Sequence, residues 1–313
     1  MKRSALLIAA LLASLVAIPF IPFDARTYVM QVLTMLFVFH VLAQSYNIVG
    51  GTMGYVNLGH ISFFGLGAYS FGIAYNAGWG LVLSLLGALA VVILFAFAFS
   101  YPFFRLRGAY FSLAAFGLVK LMEYVTNNLG WLTGGSNGLK IAADNRTFPV
   151  YFMALSLSIL AVVSGWAINR SRFGLAMKTI REDEAVARDF GVPTTRIKTQ
   201  ALVLSSILPA LMGGLYTWNL NFIDPTQVYG LKIALQPVAM AMLGGTGLVI
   251  GPVAGTAFLY LIEEVIWTNF EHLHGAMLGT IIVLVGLFMP GGLARLPMVE
   301  RLLERLGLRE EDK

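Results

Sequence analysis

The side chains able to do acid–base or metal chemistry are few in this chain and stand far apart: 16 acids, 4 histidines and no cysteine in 313 residues. The lack of cysteine removes disulfides, thiolate metal sites and thiol nucleophiles together. His272 and His274 lie two positions apart, which places them on different faces of a helix and does not make the paired ligands of an H-E-x-x-H site. His40 and His60 fall within or at the ends of apolar runs, where an ionisable group either serves a pathway or makes a hydrogen bond between helices. Glu263 and Glu264 pose the same choice, and because adjacent residues face different ways, one of them at most points into a bundle. Lys120 and Glu123, at i and i+3, can pair on one helical face and so lower the cost of burial. No G-x-x-x-x-G-K-[ST] occurs, so no P-loop binds ATP in this chain. Scattered over separate segments, these groups form no cluster at one depth of the kind a membrane enzyme needs.

The elements that position them are set by composition. At 58% hydrophobic and 12% charged, with mean hydropathy +0.78, the chain is far more apolar than a soluble domain, in which roughly 25% of residues are charged. It reads as an all-α polytopic membrane helix bundle. A hydrocarbon core of about 30 Å and a rise of about 1.5 Å per residue leave room for about ten transmembrane helices. Apolar windows fall at 4–22, 28–49, 57–77, 80–101, 109–126, 149–168, 200–219, 233–247, 250–268 and 276–290. The first begins Met1-Lys-Arg like a secretory signal, but no small-x-small cleavage site follows it, and it is taken as a span. With both termini cytoplasmic, sixteen basic residues lie on the cytoplasmic side and four, Arg26, Lys140, Arg146 and Lys232, on the other, which fixes the orientation. The softest windows are 109–126, which holds Lys120 and Glu123, and 233–247, which opens near Pro237 and ends in Gly-Gly; either is a candidate broken or re-entrant helix.

Glycines give the packing logic, since helices in hydrocarbon associate through close approach at small residues. Gly247, Gly251 and Gly255 repeat every four residues, as do Gly275 and Gly279, and read as packing stripes. The Gly-Gly pairs at 50/51, 134/135, 213/214, 244/245 and 291/292 read as turns and helix ends.

One stretch is strongly hydrophilic. Residues 169–198 hold eleven of the 37 charged residues, so this segment sits in water beside the membrane. Within it Thr179-Ile-Arg-Glu182 has the form of a capping box, predicting a helix from about Ile180 that ends at Gly191, with Pro193 beyond. Glu182, Asp183 and Glu184 suit the positive end of the helix dipole, and Val186, Ala187 and Phe190 give an apolar side. Such a helix, about three turns and roughly 16 Å long, is either a solvated connector or a ridge that fits a cleft on a soluble partner.

The segments NIVGGTMGYVNLGHISFFGLGAY from Asn47 to Tyr69, LTGGSNGL from Leu132 to Leu139, IREDEAVARDFGV from Ile180 and MLGGTGLVIGPVAG from Met242 to Gly255 resemble, in this order, the permease subunits of branched-chain amino acid ABC importers of the LivM type. The resemblance spans nearly the whole chain. It implies a single transmembrane permease domain over 1–313, a cytoplasmic coupling loop at 169–198 within it and a charged cytoplasmic tail at 293–313. It implies two cytoplasmic ABC ATPase subunits, a second related permease and an external solute-binding protein as partners in the bacterial inner membrane, with ATP and magnesium held by the ATPases, no cofactor on this chain and no nucleic acid.

In such a permease the loop docks on the ATPase through Arg181, Glu182, Asp183, Glu184, Phe190 and Gly191, with Glu184 and Gly191 on the family's E-A-A...G pattern. Here the two are seven apart, one more than in many other ABC importers, and Val186 stands where those have alanine. Asn47, Asn57 and His60 are the expected pathway-lining groups; Thr133, Gly134, Gly135, Ser136 and Asn137, with the segment from Asn221 to Gln227, form the expected external mouth and docking site for the binding protein. The solute implied is leucine, isoleucine or valine, or a related small solute such as urea or an amide. An ion-coupled secondary transporter is the competing class, and Glu263 or Glu264 would be its coupling acid.

Overall fold

A computed structural model describes residues 2–21, 25–106, 108–142, 146–269, 279–280 and 292–293. Its helices are α1 (Lys2–Ala17), α2 (Arg26–Tyr46), α3 (His60–Asn76), α4 (Gly80–Phe103), α5 (Ala109–Asn128), the single turn α6 (Gly130–Thr133), α7 (Thr147–Arg170), α8 (Arg172–Glu182), α9 (Glu184–Asp189), α10 (Thr194–Leu220), the short α11 (Pro225–Tyr229), α12 (Leu231–Gly244) and α13 (Ile250–Asn269). Nine of the ten apolar windows coincide with helices; the tenth, 276–290, lies outside the described residues except for 279–280. Among the described residues four segments are long and apolar enough to cross a membrane: Arg26–Thr52, Gly80–Phe103, Thr147–Arg170 and Thr194–Leu220. The window 109–126 lies within one unbroken helix, and 233–247 is helical without a break as far as Gly244, with Pro237 carried inside α12. At 14 residues α12 is about 21 Å long, shorter than the hydrocarbon core.

The core is built from α2, α3, α7 and α10. Helix α10 lies along α3 at backbone contact: a Cβ on Gly213 would overlap the Phe64 carbonyl, and one on Gly67 would overlap that of Ala210. The pair Gly213/Gly214, expected in a turn, is therefore mid-helix, because close helix packing needs small residues as much as a turn does. Thr217 seals the same seam by donating to the Ala68 carbonyl at 3.2 Å. Helix α4 buries one stripe, Ser84, Ala88, Val92, Ala96 and Ser100, and leaves Leu94 and Phe97 exposed on a face that only lipid or another apolar surface would solvate.

The glycine stripe at 247/251/255 is half right. Gly251 and Gly255 lie in α13 where a Cβ would strike the backbone of α12, so they are a packing face. Gly247 instead has φ +83° in the connection before α13, where the φ>0 conformation decides the residue. Gly275 lies outside the described residues, and among the described residues nothing lies within 4 Å of the Cβ position of Gly279.

The helices run up and down, so the described loops assigned to one side by charge fall at one end of the bundle. Arg105, the 169–198 loop, the bend after α2 and the α12–α13 connection share one end, joined by hydrogen bonds from Arg181 to Gly51 and from Asn169 to Gly247. At the other end Leu139–Lys140 (β1) and Phe222–Ile223 (β2) form a two-stranded antiparallel pair, Leu139 opposite Ile223.

Candidate functional site

Two short helices, not one, make up the hydrophilic loop. Helix α8 is capped by Ser171, whose hydroxyl accepts from the Gly174 amide at 3.0 Å, and it buries Met177 and Ile180 against the bundle. Thr179, expected to be a cap, is inside α8 and its hydroxyl donates to the Leu175 carbonyl at 2.8 Å, the bond a mid-helix threonine makes four residues back. The break comes at Asp183, in extended backbone at φ −157°, ψ 113°; its carboxylate accepts from the amides of Ala185 (2.7 Å) and Val186 (3.1 Å) and starts α9. An aspartate caps better than a threonine already committed to the preceding turn. Six residues long, α9 spans only about 9 Å, and it ends where Gly191 takes φ +83°, as the sequence predicts.

The two faces of α9 do different things. Glu184 and Ala187, at i and i+3, turn inward. Glu184 forms an ion pair with Lys198 of α10 at 2.7 Å, and accepts from the Tyr55 hydroxyl at 2.5 Å. Lys198 is 3% exposed and also reaches the Phe104 carbonyl at 3.4 Å, while its ammonium lies 5.3 Å from the centres of the Tyr55 and Phe104 rings. A buried ammonium tolerates that position because a carboxylate, a carbonyl and two π faces surround it. Arg188 adds an exposed 3.5 Å contact to the same carboxylate. Outward, at i and i+4, stand Val186 and Phe190, 47% and 84% exposed. The expected single apolar side of Val186, Ala187 and Phe190 is thus divided: Ala187 is buried against the bundle, while Val186 and Phe190 are left exposed. Glu182, Asp183 and Asp189 are exposed around this outward pair.

Arg181, at the end of α8, points back into the bundle and donates to the Gly51 carbonyl at 2.6 Å. Gly51 belongs to the π-helical turn Asn47–Thr52 that ends α2. Asn47 of that turn clamps the α12–α13 connection, accepting from the Gly247 amide and donating to the Leu248 carbonyl, both at 2.8 Å. The 169–198 loop is therefore linked, through one arginine and one asparagine, to two irregular segments inside the bundle.

Asn57 and His60 shape the turn into α3: Asn57 accepts from the Gly59 amide at 3.0 Å, and His60 Nδ1 lies 3.0 Å from the Asn57 carbonyl. His60 is fully buried beside the Tyr46 ring, and its Nε2 has no hydrogen-bond partner among the described residues. His40 makes the interhelical bond expected of it as one choice, 2.8 Å to Ser158 of α7. Lys120 and Glu123 pair at 2.7 Å. Glu263 points toward α12, where it pairs with Lys232 at 2.7 Å and bonds Gln236, while Glu264 accepts from Tyr28 of α2 at 2.7 Å.

At the far end the loop 133–137 is held rigidly. Thr133 donates to the Thr126 carbonyl at 2.6 Å and accepts from the Gly135 amide, and Gly134 and Gly135 both have positive φ. Ser136 and Asn137 are exposed at its tip. The β1–β2 pair brings this loop beside the segment 221–227, joining the two stretches assigned to the mouth.

Lys198 and Tyr55 are the participants that reading the sequence did not single out. Lys198 carried one signal, a lysine at the polar edge of an apolar window, where a charge needs a partner. Tyr55 carried none, since its partner is 129 positions away.

A helix bundle whose longest segments are apolar, with a braced pair of short helices projecting at one end, defines an integral membrane transport subunit more closely than any enzyme. The chain belongs to the family described as branched-chain amino acid transport system, permease component, which it matches over residues 28–286. It is 27% identical to the high-affinity branched-chain amino acid transport system permease protein LivM of Escherichia coli K12, over 95% of this chain and 76% of that one. The corresponding LivM of Salmonella typhimurium LT2 is 26% identical over the same shares. The autoinducer 2 import system permease protein LsrC of Yersinia pseudotuberculosis is 27% identical over 67% of this chain and 61% of its own. No solved structure matches. As a permease component the chain is a transport subunit and not an enzyme.

Proposed function

We propose that this chain is one permease subunit of an ATP-driven ABC importer of branched-chain amino acids or closely related small solutes in a bacterial inner membrane. It would work with two cytoplasmic ATPases, which hold the ATP and magnesium, a second related permease and an external solute-binding protein. Its bundle crosses about ten times with both termini and the 169–198 loop cytoplasmic, as one domain over 1–313 that ends in the charged cytoplasmic tail 293–313. The observation that carries the proposal is α9: its inner face is locked by Glu184, Lys198 and Tyr55, and its outer face offers Val186 and Phe190 ringed by acids to a partner. Val186 and Phe190 together expose apolar surface on an otherwise charged loop, and contiguous exposed apolar groups mark interaction sites.

ATPase closure would pull on α9, and Arg181 and Asn47 would pass that movement to the bends beside α3 and α13, switching a two-state bundle. Asn57 and His60, buried polar groups at the head of α3, are assigned with Asn47 to the solute pathway. The exposed tip Ser136–Asn137 on its rigid Thr133–Gly135 base is assigned to the binding protein. An ion-coupled carrier is disfavoured by the engagement of Glu263 with Lys232 and Gln236.

Affinity purification of the chain in mild detergent, expressed with its genomic neighbours, tests this directly. Recovery of P-loop ATPases and a second permease is expected, together with leucine uptake by the reconstituted complex. Recovery of this chain alone, where a known importer stays intact, would reject it.

A further inference from the structure

Helix α5 runs from the end of the bundle that carries Arg105 to the end that carries the loop 133–137, so it crosses the apolar layer. Its 20 residues give about 30 Å, the thickness of that layer. Only one face of it packs on the bundle. Phe111, Ala115, Leu118 and Val119 are buried, while Tyr110, Leu113, Gly117, Lys120 and Tyr124 are exposed. The exposed five are spaced three, four, three and four, the seam along which two helices pack at a shallow angle. Near the middle of that seam Lys120, 47% exposed, pairs with Glu123 at 2.7 Å. One turn before it stands Gly117, with nothing within 4 Å of its Cβ position among the described residues.

We infer that the outer seam of α5 is the surface on which the second permease packs, through a membrane-spanning helix that comes closest at Gly117 and brings polar side chains to the depth of Lys120 and Glu123. Helix α4 is the contrast within this chain: it carries no charged residue, and its exposed side presents Leu86, Leu94 and Phe97 to lipid. Charged side chains at mid-bilayer turn to protein or water and not to acyl chains. Their pairing lowers the cost of burial but leaves hydrogen-bonding capacity that only polar neighbours satisfy. A glycine in a helix facing lipid loses about 0.5–1 kcal/mol relative to alanine for no return, whereas at a helix–helix contact it permits close approach. This inference rests on the proposal that the importer contains a second related permease, and it names the face that receives it.

Photo-cross-linking in membranes that hold this chain and its genomic neighbours tests the assignment. Benzoylphenylalanine replaces Leu113 or Tyr124 on the seam, or Leu94 or Phe97 on α4; all four side chains are exposed, so the replacement disturbs no packing within this chain. Light should join this chain to the second permease, identified by mass spectrometry, from Leu113 and Tyr124 and not from Leu94 or Phe97. Gly117→Leu gives an independent measurement. Purified alone, this variant should lose no thermal stability, because the new side chain enters open space. Recovery of the second permease with it should fall about tenfold, as expected for overpacking at a close contact. Cross-links to the second permease from α4 and not α5, cross-links from α5 that stay within this chain, or full recovery of the second permease with Gly117→Leu would overturn the assignment. The two failures are distinguishable: a second permease that co-purifies but is not reached from α5 removes this face only, whereas a functional importer with no second permease removes the reading beneath it.

Discussion

Glu184 and Lys198 are 14 residues apart in sequence and 2.7 Å apart in space, and their ion pair ties α9 to α10, the longest described helix of the bundle. Both side chains are largely shielded, 13% and 3% exposed. Removing one partner of such a pair leaves the other charge buried and costs about 3–5 kcal/mol, while replacing both by apolar groups is often neutral. Glu184→Leu and Lys198→Met should therefore each lower the thermal midpoint of the purified permease sharply, and the double variant should recover most of the loss. Additive losses in a double-mutant cycle would show that the two do not act as a pair.

Gly191 ends α9 at φ +83°, and nothing lies within 4 Å of where its Cβ would be. A side chain there meets backbone strain and no clash. Gly191→Val should cost about 1–3 kcal/mol locally and misaim the helix, so solute-stimulated ATP hydrolysis by the complex should fall. Gly191→Asn, which tolerates the left-handed region, should retain most of it. Equal activity in both variants would count against a role for the cap.

Phe190 is 84% exposed, so its truncation removes almost no packing within this chain. Phe190→Ala should leave the thermal midpoint unchanged and weaken co-purification of the ATPases; Phe190→Asp should abolish it. Burial of an aromatic anchor at the centre of an interface is commonly worth 2 kcal/mol or more, roughly a thirtyfold change in affinity. Undiminished co-purification with Phe190→Asp would move the docking site elsewhere.

The bundle was legible in the sequence because hydrophobic runs and their lengths are local properties, and the basic residues sorted the loops to the ends where the structure puts them. Details of the coupling loop were less so. Thr179-Ile-Arg-Glu182 has the letters of a capping box, yet the helix had already begun at Arg172, and which of two local cap signals wins depends on packing of Met177 and Ile180 under α8. The links that join the loop to the bundle, Tyr55 with Glu184 and Asn47 with Gly247, span 129 and 200 positions, and no periodicity within one chain encodes such pairs. Gly213/Gly214 shows a further limit: a glycine pair marks either positive φ or close approach, and only the neighbouring helix decides which.

Gly255 and Gly117 make a matched contrast. A Cβ on Gly255 would overlap the Met240 carbonyl of α12, whereas nothing lies within 4 Å of the same position on Gly117 of α5. Gly255→Ala should force α12 and α13 apart at a cost of about 1–3 kcal/mol, the range for overpacking. Gly117→Ala should instead gain about 0.5–1 kcal/mol from reduced backbone entropy. Thermal midpoints moving in opposite directions would verify the α12–α13 contact; a shared sign would contradict it.

Arg181 is the side chain of α8 that hydrogen-bonds the turn ending α2, and the surrounding glycines show that its path is built. A Cβ on Gly54 would lie 2.8 Å from its stem, and one on Gly247 3.0 Å from its guanidinium; both glycines have positive φ. The guanidinium donates to Gly51, whose turn carries Asn47, and Asn47 holds Gly247 and Leu248, so a displacement of α8 must drag the turn after α2 and the connection before α13 together. Loss of that bond should separate hydrolysis from transport and leave docking intact. Arg181→Ala is expected to co-purify with the ATPases at normal yield, to keep basal ATP hydrolysis, and to lose most solute-driven stimulation and uptake. Arg181→Lys should rescue little, since an ammonium on a shorter reach cannot reproduce the 2.6 Å bond at the end of a guanidinium. Uptake and stimulation at normal levels in Arg181→Ala would place the transmission path elsewhere, leaving Glu184 and Lys198 as the only described ion pair between α9 and the bundle.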